Sequence, residues 1–334
     1  MGASPDPRDA DGAPSVAIVV VSWNTRELLA GCLASMAGDV DDGRAWVCVV
    51  DNDSDDGSAD MVAQEFPWAD LVRAGRNLGF GAAVNLGVRR SPPTRWVAPC
   101  NADIALEPDT LRLLLEAAER DAGAGAIAPL LVGDDGEPQH SVYPFPELAF
   151  TLLFNLGAHR LSRRWADRQC VPGLWDRSRA RDVPWVIAAF LLVRREAWRQ
   201  VGGFDERQWM YAEDLDLGWR LAGAGWSTRY EPRARVIHHG SAAAILAWGD
   251  ARTARWMDAT YAWMLWRRGP VRTRLVAAVN VVGAAARVAL FSVLAHRDAE
   301  RWSEPLADNR EWSRLHRLGL RRRKRIGALS ARHD

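Results

Sequence analysis

Val16 to Trp23 reads VAIVVVSW, a continuous apolar and β-branched run that fits a strand covered on both faces, as in a parallel sheet. Asn24 and Thr25 then offer caps before RELLAGCLASM, whose Leu28, Leu29, Cys32, Leu33 and Met36 recur at helical spacing. The alternation continues. A second strand, AWVCVVDN, ends at Asp51 and leads through a polar loop into a helix predicted over Ala59 to Phe66. A third, ADLVRA, meets the glycine-rich turn GRNLGFG and a helix starting near Ala82, and a fourth, TRWVAPCNADI, ends in Asn101 and Asp103. This β-α-β-α order predicts an α/β fold with a doubly wound, mainly parallel sheet whose ligands bind at the carboxyl ends of the strands.

The length of 334 residues allows a substantial core, and the formal net charge of +1 conceals an asymmetry. From Ala251 to Asp334 there are 18 Lys or Arg against 7 Asp or Glu, so this stretch carries +11 and the first 250 residues carry −10. Cys32, Cys48, Cys100 and Cys170 show no CxxC spacing and read as buried thiols of a reducing compartment. The opening MGASPDPRDADGAP is polar and Pro-, Gly- and Asp-rich, as expected of a disordered lead, without the apolar core of a signal peptide. The expected location is the cytoplasm.

Within GGFDERQWMYAEDLDLGWR (Gly202 to Arg220), three carboxylates, Glu213, Asp214 and Asp216, stand behind a glycine turn and ahead of a helical segment. Adjacent carboxylates repel at neutral pH, which suits a general base, and acidic residues also suit the positive end of a helix dipole. Both readings of these residues stand at this level.

VVVSWNTRELLAGCLASM, VVDNDSDDGS, RNLGFGAAVNLG, CNADIALEPDTL, GGFDERQWMYAEDLDLGWRLAGAGW and VIHHGS, in this order and spacing, resemble family 2 glycosyltransferases of the GT-A fold. The likeness covers roughly residues 15 to 245 and is greatest to the bacterial rhamnosyltransferases and galactofuranosyltransferases of cell-wall and surface polysaccharide synthesis. It implies a Rossmann-like, mainly parallel sheet flanked by helices, with a C-terminal helical extension. The corresponding division is a lead at 1–14, a nucleotide-sugar-binding half at 15–130, an acceptor-binding and catalytic half at 131–245, and a helical basic region at 246–334.

The implied reaction moves a sugar from a nucleotide diphosphate to a glycan or polyprenyl-linked acceptor, with dTDP-rhamnose as first choice of donor and UDP-galactofuranose or other UDP-sugars open. Asp51, at a strand end, is a natural acceptor for a pyrimidine N–H, and it also suits a turn cap with Asn52 and Ser54. Ser22 and Asn24 follow the first strand toward the same pocket. Arg76 and Asn77 precede the glycine turn within reach of the nucleotide or its phosphates, although Asn77 equally suits turn chemistry. Asn101-Ala102-Asp103 occupies the place of the family's Asp-x-Asp metal motif with Asn in place of the first Asp, which weakens metal affinity in principle. The resemblance makes Asp103 a metal ligand and adds a His after the RARVI strand, His238 with His239 as fallback, for Mn2+ or Mg2+. It gives the base role to Asp214 in an inverting displacement, with Glu213 and Asp216 as supporting or acceptor-binding groups. Trp209 and Tyr211 suit stacking on an acceptor sugar or core packing. VPWVIAAFLLVRREAW reads as a buried strand into a helix, and relatives commonly carry Gly at the position of Ala188.

Beyond His239, WMDATYAWMLWRRGP and LVAAVNVVGAAARVALFSVL read as helices, the second interrupted by Asn280 and Arg287 and only marginally able to span a bilayer. An amphipathic helix in the interface of the inner membrane face is expected, with Arg267, Arg268, Arg272 and Arg274 at its start and RRRKR (Arg321 to Arg325) drawing it to anionic lipid. A packed helical layer with a solvated basic end is the alternative. Nucleic acid is not expected, because aromatic residues do not interleave with RRRKR and no nucleic-acid motif is present. A Rossmann dehydrogenase would place G-x-G-x-x-G where this chain has SWNTRE, and Gly79-Phe80-Gly81 comes too late. A non-catalytic sugar-nucleotide-binding or scaffolding relative at the membrane is the rival reading; it would be expected to have lost the base or metal residues.

Overall fold

The structure, a computed structural model, describes residues 13–240 and 249–323. Most of the polar lead, and Lys324 and Arg325 of the basic run, lie outside the described residues. The chain opens with β1 (Val16–Ser22), α1 (Arg26–Asp41), β2 (Ala45–Asp51), α2 (Ser58–Glu65), β3 (Asp70–Arg73), α3 (Phe80–Arg90) and β4 (Trp96–Asn101). It continues with β5 (Ile104–Leu106), α4 (Thr110–Arg120), β6 (Ala124–Val132), β7 (Val142–Tyr143), α5 (Leu148–Asn155), α6 (Ala158–Leu161) and α7 (Arg163–Arg168). Then come β8 (Arg181–Val183), β9 (Trp185–Val186), β10 (Leu192–Arg194), α8 (Arg195–Val201), α9 (Glu213–Gly223) and β11 (Ser227–His238). Three long helices follow: α10 (Arg252–Arg267), α11 (Gly269–Ala295) and α12 (Ala299–Arg321).

Two compact units result, one within Met1–Tyr143 and Asp176–Gly249, the other within Pro144–Trp175 and Asp250–Asp334. The first is a mixed α/β unit on a nine-stranded sheet of order β3-β2-β1-β4-β10-β6-β11-β5, with β8 on β11. Strands β1 to β4 are mutually parallel, whereas β10 runs antiparallel between β4 and β6. Val16 to Val20 are fully buried, as a doubly covered strand requires. Leu29, Cys32, Leu33 and Met36 of α1 press on the same core. All four cysteines are free and buried.

Because β2 lies on one side of β1 and β4 on the other, the winding reverses at β1, the place beyond whose strand ends open α/β sheets bind their ligands. Pairing places Ser22 opposite Asp51 and Val21 opposite Asn101, so three predicted site residues stand level at that edge.

Two sequence expectations are corrected. VPWVIAAFLLVRREAW is not one buried strand: it contributes β9 to a two-stranded ribbon with β7, and β10 to the main sheet. The fourth predicted strand ends at Asn101, where a turn at Ala102-Asp103 reverses the chain into β5.

In the second unit α10, α11 and α12 form a helical layer, and α5 packs on α11. Gly319 of α12 makes close packing possible, since a Cβ there would lie 2.4 Å from the Tyr261 ring and 2.7 Å from Ala277. By length and composition α11 could cross a membrane.

Candidate active site

At the carboxyl edge of β2, the Asp51 side chain is 5% exposed; one carboxylate oxygen accepts from the Ser54 amide at 3.3 Å, and the other is buried without a partner. A buried carboxylate oxygen left unmatched is costly unless a ligand donor meets it. The surrounding loops are tightly tied. Asn24, in the left-handed region at φ 52°, donates its amide to Ser54 Oγ (3.1 Å) and accepts from the Asp55 amide (2.9 Å). Asn52 donates to Asn77 Oδ1 at 3.1 Å and accepts from the Leu78 amide at 2.9 Å, joining this loop to the glycine turn.

Several predicted contacts are therefore braces. Ser22 is fully buried with its hydroxyl 3.2 Å from Thr25 Oγ1, which removes it from the pocket wall. Asn77 uses its carbonyl oxygen for Asn52 and for the Gly79 amide at 3.0 Å, the turn chemistry its sequence position allowed. Arg76 is exposed on the same turn.

Gly79 brings this turn against the segment ahead of α9. A Cβ there would lie 2.1 Å from the Trp209 carbonyl oxygen, and Gly79 also sits at φ 80°. The same oxygen accepts from the Phe80 amide at 3.2 Å. Trp209 thus packs against Gly79, while Tyr211 and Ala212 take consecutive left-handed conformations at φ 63° and 62°. Two such non-glycine residues cost of order 1–3 kcal/mol each and cluster at functional sites. They deliver Glu213 and Asp214 as the first residues of α9.

The two carboxyls are poised differently. Burial pushes Asp214 up to about 6, opposed by amide donors from Leu215 and Ala188. Burial, then the charge of Asp214, pushes Glu213 well above the usual range, and Glu213 Oε2 is buried without a partner. Burial thus disfavours ionisation of both carboxyls, and the charge of Asp214 further disfavours that of Glu213. The Ala188 backbone also reaches the sheet edge, because the Asn101 amide donates to the Ala189 carbonyl at 2.8 Å.

Asp216 faces away from this role. It is fully buried, and Arg220 Nε holds its carboxylate at 2.6 Å while Arg220 also donates to the Val201 carbonyl. Its place in the acceptor site is corrected to an internal ion pair, a pairing that the i,i+4 spacing of Asp216 and Arg220 already carried.

β5 and β11 bring Asp103 and His238 together, with His238 Nε2 3.6 Å from Asp103 Oδ1 and both side chains under a tenth exposed. Gln139 settles the imidazole. Its Nε2 donates to the His238 carbonyl at 2.7 Å, so its oxygen is the group that accepts from His238 Nδ1 at 2.8 Å. Nε2 then carries a bare lone pair, buried and unpartnered, toward a carboxylate oxygen. Two acceptors facing one another suit a shared cation, and a ring nitrogen held by an outer hydrogen bond is how metal-binding histidines are oriented. His239 turns instead to Asp134 at 2.5 Å. Among the described residues no group of three or more His, Cys, Asp or Glu converges, so an ion between Asp103 and His238 would need further oxygens, from substrate or water, to complete its shell.

Three participants escaped sequence reading. Asn85 clamps Phe204 through its backbone N–H (3.0 Å) and carbonyl (2.9 Å), fixing the glycine turn; a polar residue on the apolar face of α3 was the available signal. Gln139 had no signal at all. Tyr143 stacks on Trp185 at 5.1 Å between ring centres, and burial with the charge of Asp214 pushes its phenol up to about 12, which puts the Tyr143 ring near Asp214.

The family model described as "Glycosyltransferase like family 2" matches residues 13–259. An N-acetylglucosaminyl-diphospho-decaprenol L-rhamnosyltransferase of Mycobacterium tuberculosis is 38% identical over 207 residues, 58% of this chain and 66% of that one. This chain thus spans slightly under two thirds of that relative. Rhamnosyltransferase WbbL of Escherichia coli is 28% identical over 235 residues, covering 67% of this chain and 83% of that one. The mannosyltransferase PcManGT of Pyrobaculum calidifontis, solved with GDP-Man and Mn2+, shares the fold with a TM-score of 0.55 at 18% identity, covering 95% of this chain and 87% of that one.

Proposed function

Since the chain belongs to the family-2-like glycosyltransferases, we propose that it is an inverting glycosyltransferase of cell-wall or surface polysaccharide synthesis. Its favoured donor is dTDP-rhamnose and its favoured acceptor a polyprenyl-diphosphate-linked sugar at the cytoplasmic face of the membrane; the relatives named as rhamnosyltransferases, one of them acting on a diphospho-decaprenol, support the rhamnosyl transfer and the lipid-linked acceptor. Asp214 carries the reading: a carboxyl pushed up to about 6, at the first turn of α9, is ionised at neutral pH and still basic enough to take a proton.

Asp51 accepts from the base N–H with its unmatched oxygen, and the backbone around Asn101 stands at the same sheet edge. Asp103 and His238 would hold Mn2+ or Mg2+, whose charge, when bound, offsets the charge growing on the departing diphosphate. Asp214 accepts the acceptor hydroxyl proton as that oxygen bonds to the anomeric carbon from the face opposite the nucleotide. The bond from that carbon to the diphosphate oxygen breaks, and the nucleoside diphosphate leaves. Burial and the charge of Asp214 both disfavour ionisation of Glu213, which favours placing the negative charge on Asp214. Tyr143, backed by the buried Trp185, supplies the aromatic wall on which an acceptor sugar packs.

Calorimetric titration of dTDP and UDP into the protein, with and without Mn2+, tests the site. Binding that strengthens with Mn2+, weakens at least tenfold in Asp51→Ala and loses its Mn2+ dependence in Asp103→Ala is expected. Absence of nucleotide binding under all conditions would overturn the assignment.

A further inference from the structure

The second unit displays apolar side chains that its own packing leaves uncovered. On the segment of α5 and α6, Leu152 is 45% exposed, Leu153 42%, Leu156 70% and Leu161 88%. These leucines do not belong to a loose loop. Phe150 stacks on Phe154 (5.9 Å) and on Trp165 (5.8 Å), and Phe154 stacks on His159 (4.6 Å), binding α5, α6 and α7 into one piece. Asn155 then ties that piece to α11 through hydrogen bonds with Asn280 (2.9 Å) and Arg287 (3.1 Å), so the opposite side of α5 is the one turned to solvent.

Helix α11 repeats the arrangement. Between Leu275 and Ala295 every exposed side chain is apolar, with Val282 68%, Leu290 52% and Val293 60% exposed. Its polar interruptions point inward, where Asn280 bonds Asn155 and Arg287 bonds Asn155 and Asn309. A helix lodged in this network by one side and apolar on the other suits an in-plane position on a bilayer, whereas crossing the bilayer would strip Arg287 and Asn280 of these partners.

The charges beside the leucines define the surface. Arg160, Arg163, Arg164 and Arg168 are exposed within nine residues that contain a single acid, Asp167, and Arg272 and Arg274 are exposed at the start of α11. Exposed leucines flanked by arginines match the acyl boundary and the anionic headgroups of one leaflet.

We propose that α5, α6 and the exposed side of α11 form an in-plane docking surface for an anionic bilayer, with Leu156 and Leu161 entering the acyl boundary and Arg160, Arg163 and Arg164 meeting headgroup phosphates. This goes beyond the glycosyl-transfer reading and does not depend on it, because membrane binding is measured without donor or acceptor. The cluster at 160–168 was not part of the sequence expectation, which placed lipid contact on α11 and the basic tail.

The test is co-sedimentation of the full chain with vesicles of phosphatidylcholine alone and with a third phosphatidylglycerol. Binding should require the anionic lipid and weaken with salt, about fivefold for each of Arg163→Gln and Arg164→Gln. Leu156→Glu with Leu161→Glu should lower it more than tenfold. The native thiols are buried, so a fluorophore on Leu161→Cys reports this site; its emission should shift to the blue on anionic vesicles, and that of one on Asp308→Cys should not. Circular dichroism melts confirm that the variants are folded. Equal binding by the double glutamate variant, no binding to any vesicle, or self-association that these glutamates abolish would each overturn the proposal, the last by making a second copy the occupant.

Discussion

Replacing Asp214 by Asn should stabilise the protein while removing its activity. The folded carboxyl holds its proton to about 6, whereas an unfolded one releases it near 3.8. Between those values the native state binds more protons than the unfolded state, so stability falls as pH rises through that window and stays lower above it. An uncharged Asn, which still accepts the Leu215 amide, is free of this penalty. Linkage gives an advantage for Asn on the order of 1–2 kcal/mol at pH 5, growing to roughly 3 kcal/mol at pH 8. Glu213 adds to it in the same direction, because removing the neighbouring charge removes the second cause of its own raised value. Urea unfolding of parent and Asp214→Asn at pH 5 and pH 8, followed by tryptophan fluorescence, reads the difference. A gain that grows with pH, together with turnover lowered by about 10²–10⁴, is expected. An Asn variant no more stable than the parent at pH 8, or a gain that does not change with pH, would refute the reasoning, since the folded state would then already compensate the charge.

Other outcomes follow from the same geometry. Asp216→Asn should cost about 3–5 kcal/mol by leaving Arg220 buried without its counter-ion, so a melt separates it from Asp214→Asn by opposite signs. Gly79→Ala should cost more than about 2 kcal/mol and weaken donor binding, because its Cβ would strike the Trp209 carbonyl and the backbone sits at φ 80°. The rate of the chemical step should rise with pH through about 6 as Asp214 loses its proton, and a pH–rate profile flat from 5 to 8 would remove Asp214 from the base role.

The sheet was readable because burial on both faces leaves a direct imprint: β1 and β2 have no choice of residue type except apolar ones, and their ends, Ser22 and Asp51, stand where the runs stop. The division into units was less readable. Residues 144–175 group with the C-terminal helices, and local patterning does not say which distant helix will bond Asn155. The carboxylates of α9 show a different limit. Glu213, Asp214 and Asp216 are equivalent as residue types, and only helical direction separates Asp214 from Asp216, which is turned onto Arg220. His238 and His239 were likewise separable only by where each ring points, toward Asp103 or toward Asp134. Gln139 holds the first of them across 99 residues of chain, a relation that no local pattern encodes.

The most direct test is sugar transfer by the purified full chain, with and without Mn2+, across dTDP-rhamnose, UDP-galactofuranose, UDP-glucose and UDP-N-acetylglucosamine, with membrane lipid extract as acceptor source. Metal-dependent consumption of one nucleotide-diphosphate sugar, with transfer to lipid, is expected, reduced at least about a hundredfold in Asp214→Asn. Transfer that proceeds in Asp214→Asn within a few-fold of the parent would contradict it.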